Sequence, residues 1–231
     1  MSEWHHHHRD VTGGWLRPAV FGAMDGLVSN FALISGVVGG GASSTVVIVT
    51  GLAGLVAGAC SMAVGEYTSV ASQTELTRAE IEVEKAELIR NPEGELAELT
   101  ALYRTRGVDA ETSEKVARQI TAQPELAWRV HVREELGVDP DDLPSPYVAA
   151  LSSFAAFSVG AAVPVLPFLL GASGLIAAAV VSVLGLLVLG GVVARLTARP
   201  WWTGALRQLA LGAFAAAVTF GIGSLVGSTL T

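Results

Sequence analysis

Residues 26–65 read GLVSNFALISGVVGGGASSTVVIVTGLAGLVAGACSMAVG, forty positions without a charged side chain, bounded by Asp25 and Glu66. A helix needs about 20 mostly apolar residues to cross a bilayer. This run therefore holds two crossings, joined at Gly39-Gly40-Gly41, rather than one buried core helix. Outward from it, residues 143–194 form a second uncharged stretch of 52 residues, and everything from Gln208 onward forms a third. Of the 231 residues, 51% are hydrophobic and 15% charged, where a soluble domain carries about 25% charged residues. The chain reads as an all-α integral membrane protein with five transmembrane helices.

The expected organisation is a cytoplasmic N-terminal segment (1–14), spans one and two (15–72), a polar insert (73–146) and spans three to five (147–231). The spans run roughly Leu16–Val38, Thr45–Val70, Tyr147–Leu170, a fourth ending near Ala194, and Gly204–Val226. Pro164 and Pro167 should kink the third or relax its hydrogen bonding. The N-terminus lacks the basic-then-apolar pattern of a signal peptide, so the first span is expected to direct insertion. All fourteen Lys and Arg fall in the N-terminal segment, the insert, the loop after span four or the adjoining span ends. With five spans these regions share one side, which the positive-inside rule makes cytoplasmic. The C-terminus is then outside, and the expected location is the cell membrane. The net charge of −7 comes from the insert, and no nucleic-acid partner is expected. Cys60 is the only cysteine, so no intrachain disulfide can form.

The insert reads as a soluble helical bundle. Asn91-Pro92 is an N-cap with proline at the first helical position. Gly107 ends that helix, Asp109 caps the next, Gln123-Pro124 starts another and Gly137 closes it. Small residues at three- and four-residue steps (Gly22 and Gly26, then Gly51, Gly54, Gly58, Ser61 and Gly65) let helix backbones approach closely in lipid. We expect these seams to face a second subunit.

Two carboxylates lie inside apolar spans. Asp25 sits about nine residues into span one, roughly 13 Å deep at 1.5 Å per residue. A carboxylate there is costly, and no Lys, Arg or His lies at matching depth to neutralise it. A mobile cation or a proton is its natural partner. Glu66 lies near the cytoplasmic boundary of span two, with Met62 on the same helix face at i, i+4 spacing. Carboxylate oxygen suits hard ions, while a thioether favours softer first-row ions. Asp25, Met62 and Glu66 thus form a descending line of candidate ligands. The insert carries seventeen acidic against nine basic residues, including the i, i+3 pairs Glu84/Glu87 and Glu95/Glu98. These are either solvated acidic faces or metal ligands. The run His5–His8 is either a metal-binding segment or a tag-like tail.

The segments Met24-Asp25-Gly26-Leu27-Val28-Ser29-Asn30-Phe31 and Ser61-Met62-Ala63-Val64-Gly65-Glu66-Tyr67, the latter followed by Ser72-Gln73 and an acidic insert, resemble the vacuolar iron transporter family. The resemblance extends from about Gly14 to span five. It implies a homodimer with five spans per subunit, a path between subunits, and transport of Fe²⁺ and Mn²⁺. The family's intramembrane aspartate and methionine match Asp25 and Met62. Its cytoplasmic metal-binding glutamates match Glu84, Glu87, Glu95, Glu98 and Glu135. Where some members have paired methionines, this chain has His131 and Val132, so imidazole can replace a thioether. Some members also have an acidic residue where Gly14 stands.

The expected function is export of Fe²⁺, with Mn²⁺ and related divalent transition metals, from the cytoplasm in exchange for protons. Asp25 would alternate between metal-bound and protonated forms, since low dielectric favours the neutral carboxyl. A different class of reading makes the insert a metal-binding oxidase or store anchored by the spans. Against it stands the absence of the Glu-x-x-His pairs of di-iron bundles. A metal-responsive regulator is a third reading, and it leaves Asp25 unexplained.

Overall fold

The computed structural model describes residues 14–230, all of whose regular structure is helical; His5–His8 lie outside the described residues. The chain divides into two compact units: an apolar one, made of the chain up to Ser69 together with Ser145 onward, and an insert, Val70–Pro144.

In the apolar unit the helices are α1 (Leu16–Gly39), the first part of α2 (Ser44–Arg90), and, beyond the insert, α6 (Pro146–Ala162), α7 (Leu166–Leu169), α8 (Leu175–Leu196) and α9 (Trp201–Leu230). Four of them, α1, α2, α8 and α9, are long and apolar enough to cross a membrane. Helix α1 is the centre. It packs against α6, α8 and α9, and Leu27, Phe31 and Ile34 on it are buried.

Close approach explains the glycines of α1. A Cβ on Gly22 would sit 2.7 Å from the carbonyl oxygen of Ser153, and one on Gly26 would overlap the Phe157 carbonyl. The seam on α2 is also used within the chain. A Cβ on Gly51 would meet Val165 and Ile34, one on Gly54 would meet Leu33 and Asn30, and one on Gly58 would overlap the Phe157 ring, while Gly65 has open space. The expectation that these seams face a second subunit is therefore corrected for Gly22, Gly26, Gly51, Gly54 and Gly58, whose neighbours belong to this chain. The reason is that α1, α2 and α6 must pack with almost no side-chain thickness between them.

The expected third span, Tyr147–Leu170, is divided. Helix α6 starts at Pro146 with Ser145 as its N-cap, whose hydroxyl accepts from Val148 N at 3.5 Å. It ends at Ala162, followed by a turn and the four-residue α7. Pro164 has no N–H to give and its ring crowds the preceding turn. Beside it, the Val165 N–H donates to Ala162 O at 3.0 Å, one residue short of the α-helical partner, which frees the carbonyl of Ala161.

The insert contains the second part of α2, then α3 (Pro92–Thr105), α4 (Ala110–Thr121) and α5 (Pro124–His131), which runs on into a π-helical turn, Val132–Leu136. Span two and the first helix of the insert are thus one helix of 47 residues. No glycine or proline lies between Glu66 and Arg90 to stop it. The caps are local. Asn91 accepts from Gly94 N at 3.2 Å, Asp109 from Thr112 N at 3.0 Å, and Gly107 and Gly137 take positive φ at the helix ends. Helix α3 packs on α4 and α4 on α5, around Ile81, Leu99, Ala117, Ala127 and Val132.

Candidate functional site

The structure builds two separate groups of candidate ligands. The first is in the apolar unit. Asp25, Ser29 and Asn30 from α1, Gly54, Gly58, Ser61 and Met62 from α2, and Phe157 from α6 line one open cavity of about 390 Å³. Asp25 and Met62, 37 positions apart, are thereby brought together. The bare backbones of Gly54 and Gly58 make the room. Among the described residues neither Lys, Arg nor His lines the cavity, so none of them balances a negative charge on Asp25 there. Glu66 lies one turn beyond Met62 on α2, half-buried, and is not part of the lining.

Asn30 is the residue that spacing alone did not single out. It is buried, and its Nδ2 donates to Gly51 O at 3.1 Å and to Ala161 O at 2.6 Å. One side chain thus ties α1 to α2 and to the carbonyl left free where α6 breaks. The signal was present, since Asn30 stands in the segment after Asp25, but its partners are 21 and 131 positions away.

The second group is in the insert. Glu84 of α2, Glu95 of α3, His131 of α5 and Glu135 of the π turn each place a ligand atom within 4.8 Å of the others. His131 is fully buried, with Nδ1 at 2.9 Å from Glu135 Oε1, 3.2 Å from Glu84 Oε1 and 3.5 Å from Glu95 Oε2. Glu95 is nearly as buried, at 7% exposed. Glu135, four residues after His131, reaches it from the π turn, while Glu134 pairs with Arg106, and such turns recur at functional sites.

The electrostatics of this group are unbalanced. Burial first, then the charges of Glu135, Glu95 and Glu98, push the Glu84 carboxyl up to about 7. Burial also raises Glu95, with His131 opposing and Glu135, Glu98 and Glu87 reinforcing. Nearby cations are engaged elsewhere, Lys85 with Glu82 at 2.8 Å and Arg90 with Glu87 at 2.6 Å. One imidazole cannot satisfy three carboxylates: Glu84 Oε1 and His131 Nε2 are both buried without a hydrogen-bond partner. A divalent ion can serve all four residues. Donors around one ion bound at roughly 2.1–2.4 Å lie no more than about 4.2–4.8 Å apart, and the four ligand atoms here lie within 4.8 Å of one another. Of the expected insert ligands, Glu87 and Glu98 lie near enough to influence the group but contribute no atom to it.

Comparison with known proteins identifies the family. The model of the VIT family matches residues 16–224. A protein named vacuolar iron transporter from Acanthamoeba castellanii is 42% identical over 219 residues, covering 93% of this chain and 79% of its own length. Vacuolar iron transporter homolog 3 of Arabidopsis thaliana is 36% identical, covering 93% and 84%. Vacuolar iron transporter 1 of Eucalyptus grandis is 28% identical, covering 94% and 89%. The matched region takes in α1 through most of α9, with both ligand groups inside it, and the chain belongs to the VIT family.

Proposed function

We propose that this protein, a transporter and not an enzyme, carries Fe²⁺, with Mn²⁺ and related divalent ions, out of the cytoplasm in exchange for protons. The observation that carries the reading is the cavity shared by Asp25 and Met62, with no balancing cation among the described residues. A carboxylate and a thioether facing the same space suit a first-row divalent ion better than Mg²⁺ or Ca²⁺. Between ions Asp25 can take up a proton, because a neutral carboxyl is the less costly form in an apolar setting. The carboxylate thus serves cargo and counter-ion in turn.

The insert is read as the collecting site. Glu84, Glu95, His131 and Glu135 would capture the ion, with Glu87 and Glu98 concentrating cations around them. Glu66 would lie between this group and Met62 in the order of passage. Five crossings remain the proposed count, the divided α6–α7 segment serving as the third. The insert and N-terminus are then cytoplasmic and the C-terminus outside, in a homodimer. Relatives carry vacuolar in their names; for this chain the cell membrane is the proposed site.

The test is flux in proteoliposomes, followed by a metal-sensitive dye and a pH dye together. Asp25→Asn keeps the shape and removes the titratable charge. Metal flux and metal-coupled proton movement should both be lost, while the insert still binds metal. Wild-type flux in the variant would overturn the mechanism. It would favour the reading in which the spans anchor a metal store.

A further inference from the structure

In the cavity of Asp25 and Met62, the Asn30 side chain has one end fixed and the other unused. Its Nδ2 faces two backbone carbonyls, Gly51 O at 3.1 Å and Ala161 O at 2.6 Å. A carbonyl only accepts, so the nitrogen must be the atom that faces them, and the orientation of the amide is settled by chemistry. Both N–H groups are consumed. The opposite atom, Oδ1, is buried and has no hydrogen-bond partner, although the residue as a whole is only 1% exposed. A buried acceptor left bare is an unusual feature that calls for a reason. Here the reason lies in the surroundings. Asn30 lines the same cavity as Asp25 and Met62, and the bare backbone of Gly54 lies beside its oxygen: a Cβ there would stand 3.0 Å from Oδ1 and 2.6 Å from the end of the Leu33 side chain, which lines the same cavity.

We propose that Asn30 Oδ1 is a direct oxygen ligand for the divalent cation in this cavity, held ready by the two hydrogen bonds on its nitrogen. The proposal rests on the reading of Asp25 and Met62 as the intramembrane ion site, and it deepens that reading. The set becomes one carboxylate, one neutral amide oxygen and one thioether. An amide oxygen attracts a cation without adding a negative charge or a second titratable proton. Asp25 therefore stays the only ionisable side chain on the cavity wall among the described residues, and release of the ion need be matched at this site by one proton per chain. The amide is also rigid. It cannot turn away without breaking two hydrogen bonds to the backbone, whereas a serine hydroxyl such as Ser29 or Ser61 rotates freely.

The experiment uses the full chain, purified, in which Glu84→Gln, Glu95→Gln, His131→Ala and Glu135→Gln together silence the insert. Mn²⁺ binding is then measured by the loss of the free-ion electron paramagnetic resonance signal. Onto this background are placed, one at a time, Asn30→Leu, Gly54→Ala and Asp25→Asn, with thermal unfolding recorded for each. Gly54→Ala leaves both Nδ2 acceptors of Asn30 in place; its methyl group displaces the flexible end of Leu33, 2.6 Å away, and stands 3.0 Å from Oδ1. It therefore keeps the test decisive if Asn30→Leu fails to fold. Removing a direct neutral ligand should weaken Mn²⁺ binding about tenfold in both variants. Folded Gly54→Ala or Asn30→Leu protein that binds Mn²⁺ as tightly as the background would overturn the assignment. Asp25→Asn separates the two levels of the argument. Loss of binding there with undiminished binding in the other two sinks the role of Asn30 alone. Undiminished binding in Asp25→Asn removes the ion site itself, and the Asn30 assignment with it.

Discussion

At Glu84 a single side chain couples the fold of the insert to pH. Its carboxyl is raised from an ordinary value of 4.5 to about 7 by burial and by the neighbouring carboxylates. The folded chain therefore holds a proton that the unfolded chain releases. The stability this group contributes is fully present below about pH 4.5 and is lost as pH rises through about 7, on the order of 2 kcal/mol. We expect amides of residues 92–136 in metal-free protein to exchange faster, after correction for intrinsic rates, at pH 8 than at pH 5. Glu84→Gln should flatten that slope, and a divalent ion added at pH 8 should restore protection. An exchange profile that ignores pH between 5 and 8 would mean that Glu84 is not held as described. The acidic pairs could be read from the sequence as candidates, since i, i+3 spacing is local. That Glu84 and Glu95 meet His131, while Glu87 and Glu98 stay outside, could not. The meeting depends on the packing of α3, α4 and α5, which leaves no periodic trace.

Among the helices, the close contact of α1 with α6 is the most exacting piece of packing. Gly26→Ala would drive a methyl group into the Phe157 carbonyl and to 3.0 Å from the Ala161 nitrogen. Those are backbone atoms, so no rotamer change relieves the clash. A loss of about 1–3 kcal/mol is expected, read as a lowered unfolding temperature in detergent. Gly221→Ala in α9 is the matched control: nothing lies within 4 Å of its added Cβ, and the helix gains from losing a glycine. Equal effects of the two would show that glycine content, not this crossing, matters. The helix ends were legible beforehand wherever a cap is a matter of neighbouring residues, as at Asn91-Pro92, Asp109 and Gly137. The continuity of α2 was not. Hydropathy changes sharply near Glu66, but Glu, Ala, Lys and Leu propagate a helix in water as well as apolar residues do in lipid. A change of solvent is not a change of structure. The break in α6 was half legible: Pro164 and Pro167 marked the place, while the use of the freed Ala161 carbonyl by Asn30 needed the third dimension.

For the molecule as a whole, the question is what covers α2. Its apolar stretch is only 17% buried inside the chain, against 44% for α1. With Gly51, Gly54 and Gly58 turned to this chain's own helices, the face available to a second copy lies elsewhere on α2. Gly65, Ser69, Ser72, Leu76, Ala79, Val83 and Ala86 are all exposed, and they follow one another at alternating steps of four and three. That is the 3.5-residue repeat by which two helices stay in contact along their length. Small residues occupy the apolar end, where packing in lipid requires close approach, and larger Leu76 and Val83 appear in the insert, where burial from water drives association. A symmetric pair joined along this stripe is the homodimer we expect. Cys60 is the only cysteine, so cross-linking can be read cleanly in a Cys60→Ser background. A disulfide needs Cα atoms about 4.4–6.8 Å apart. Ala79→Cys or Val83→Cys should give an oxidised dimer in native membranes. Arg78→Cys, exposed on another side of the same helix, should remain monomeric on a denaturing gel. Efficient cross-linking at Arg78 with none at positions 79 or 83 would move the interface off this stripe. Cross-linking at all three alike would report random collision, not a defined pair.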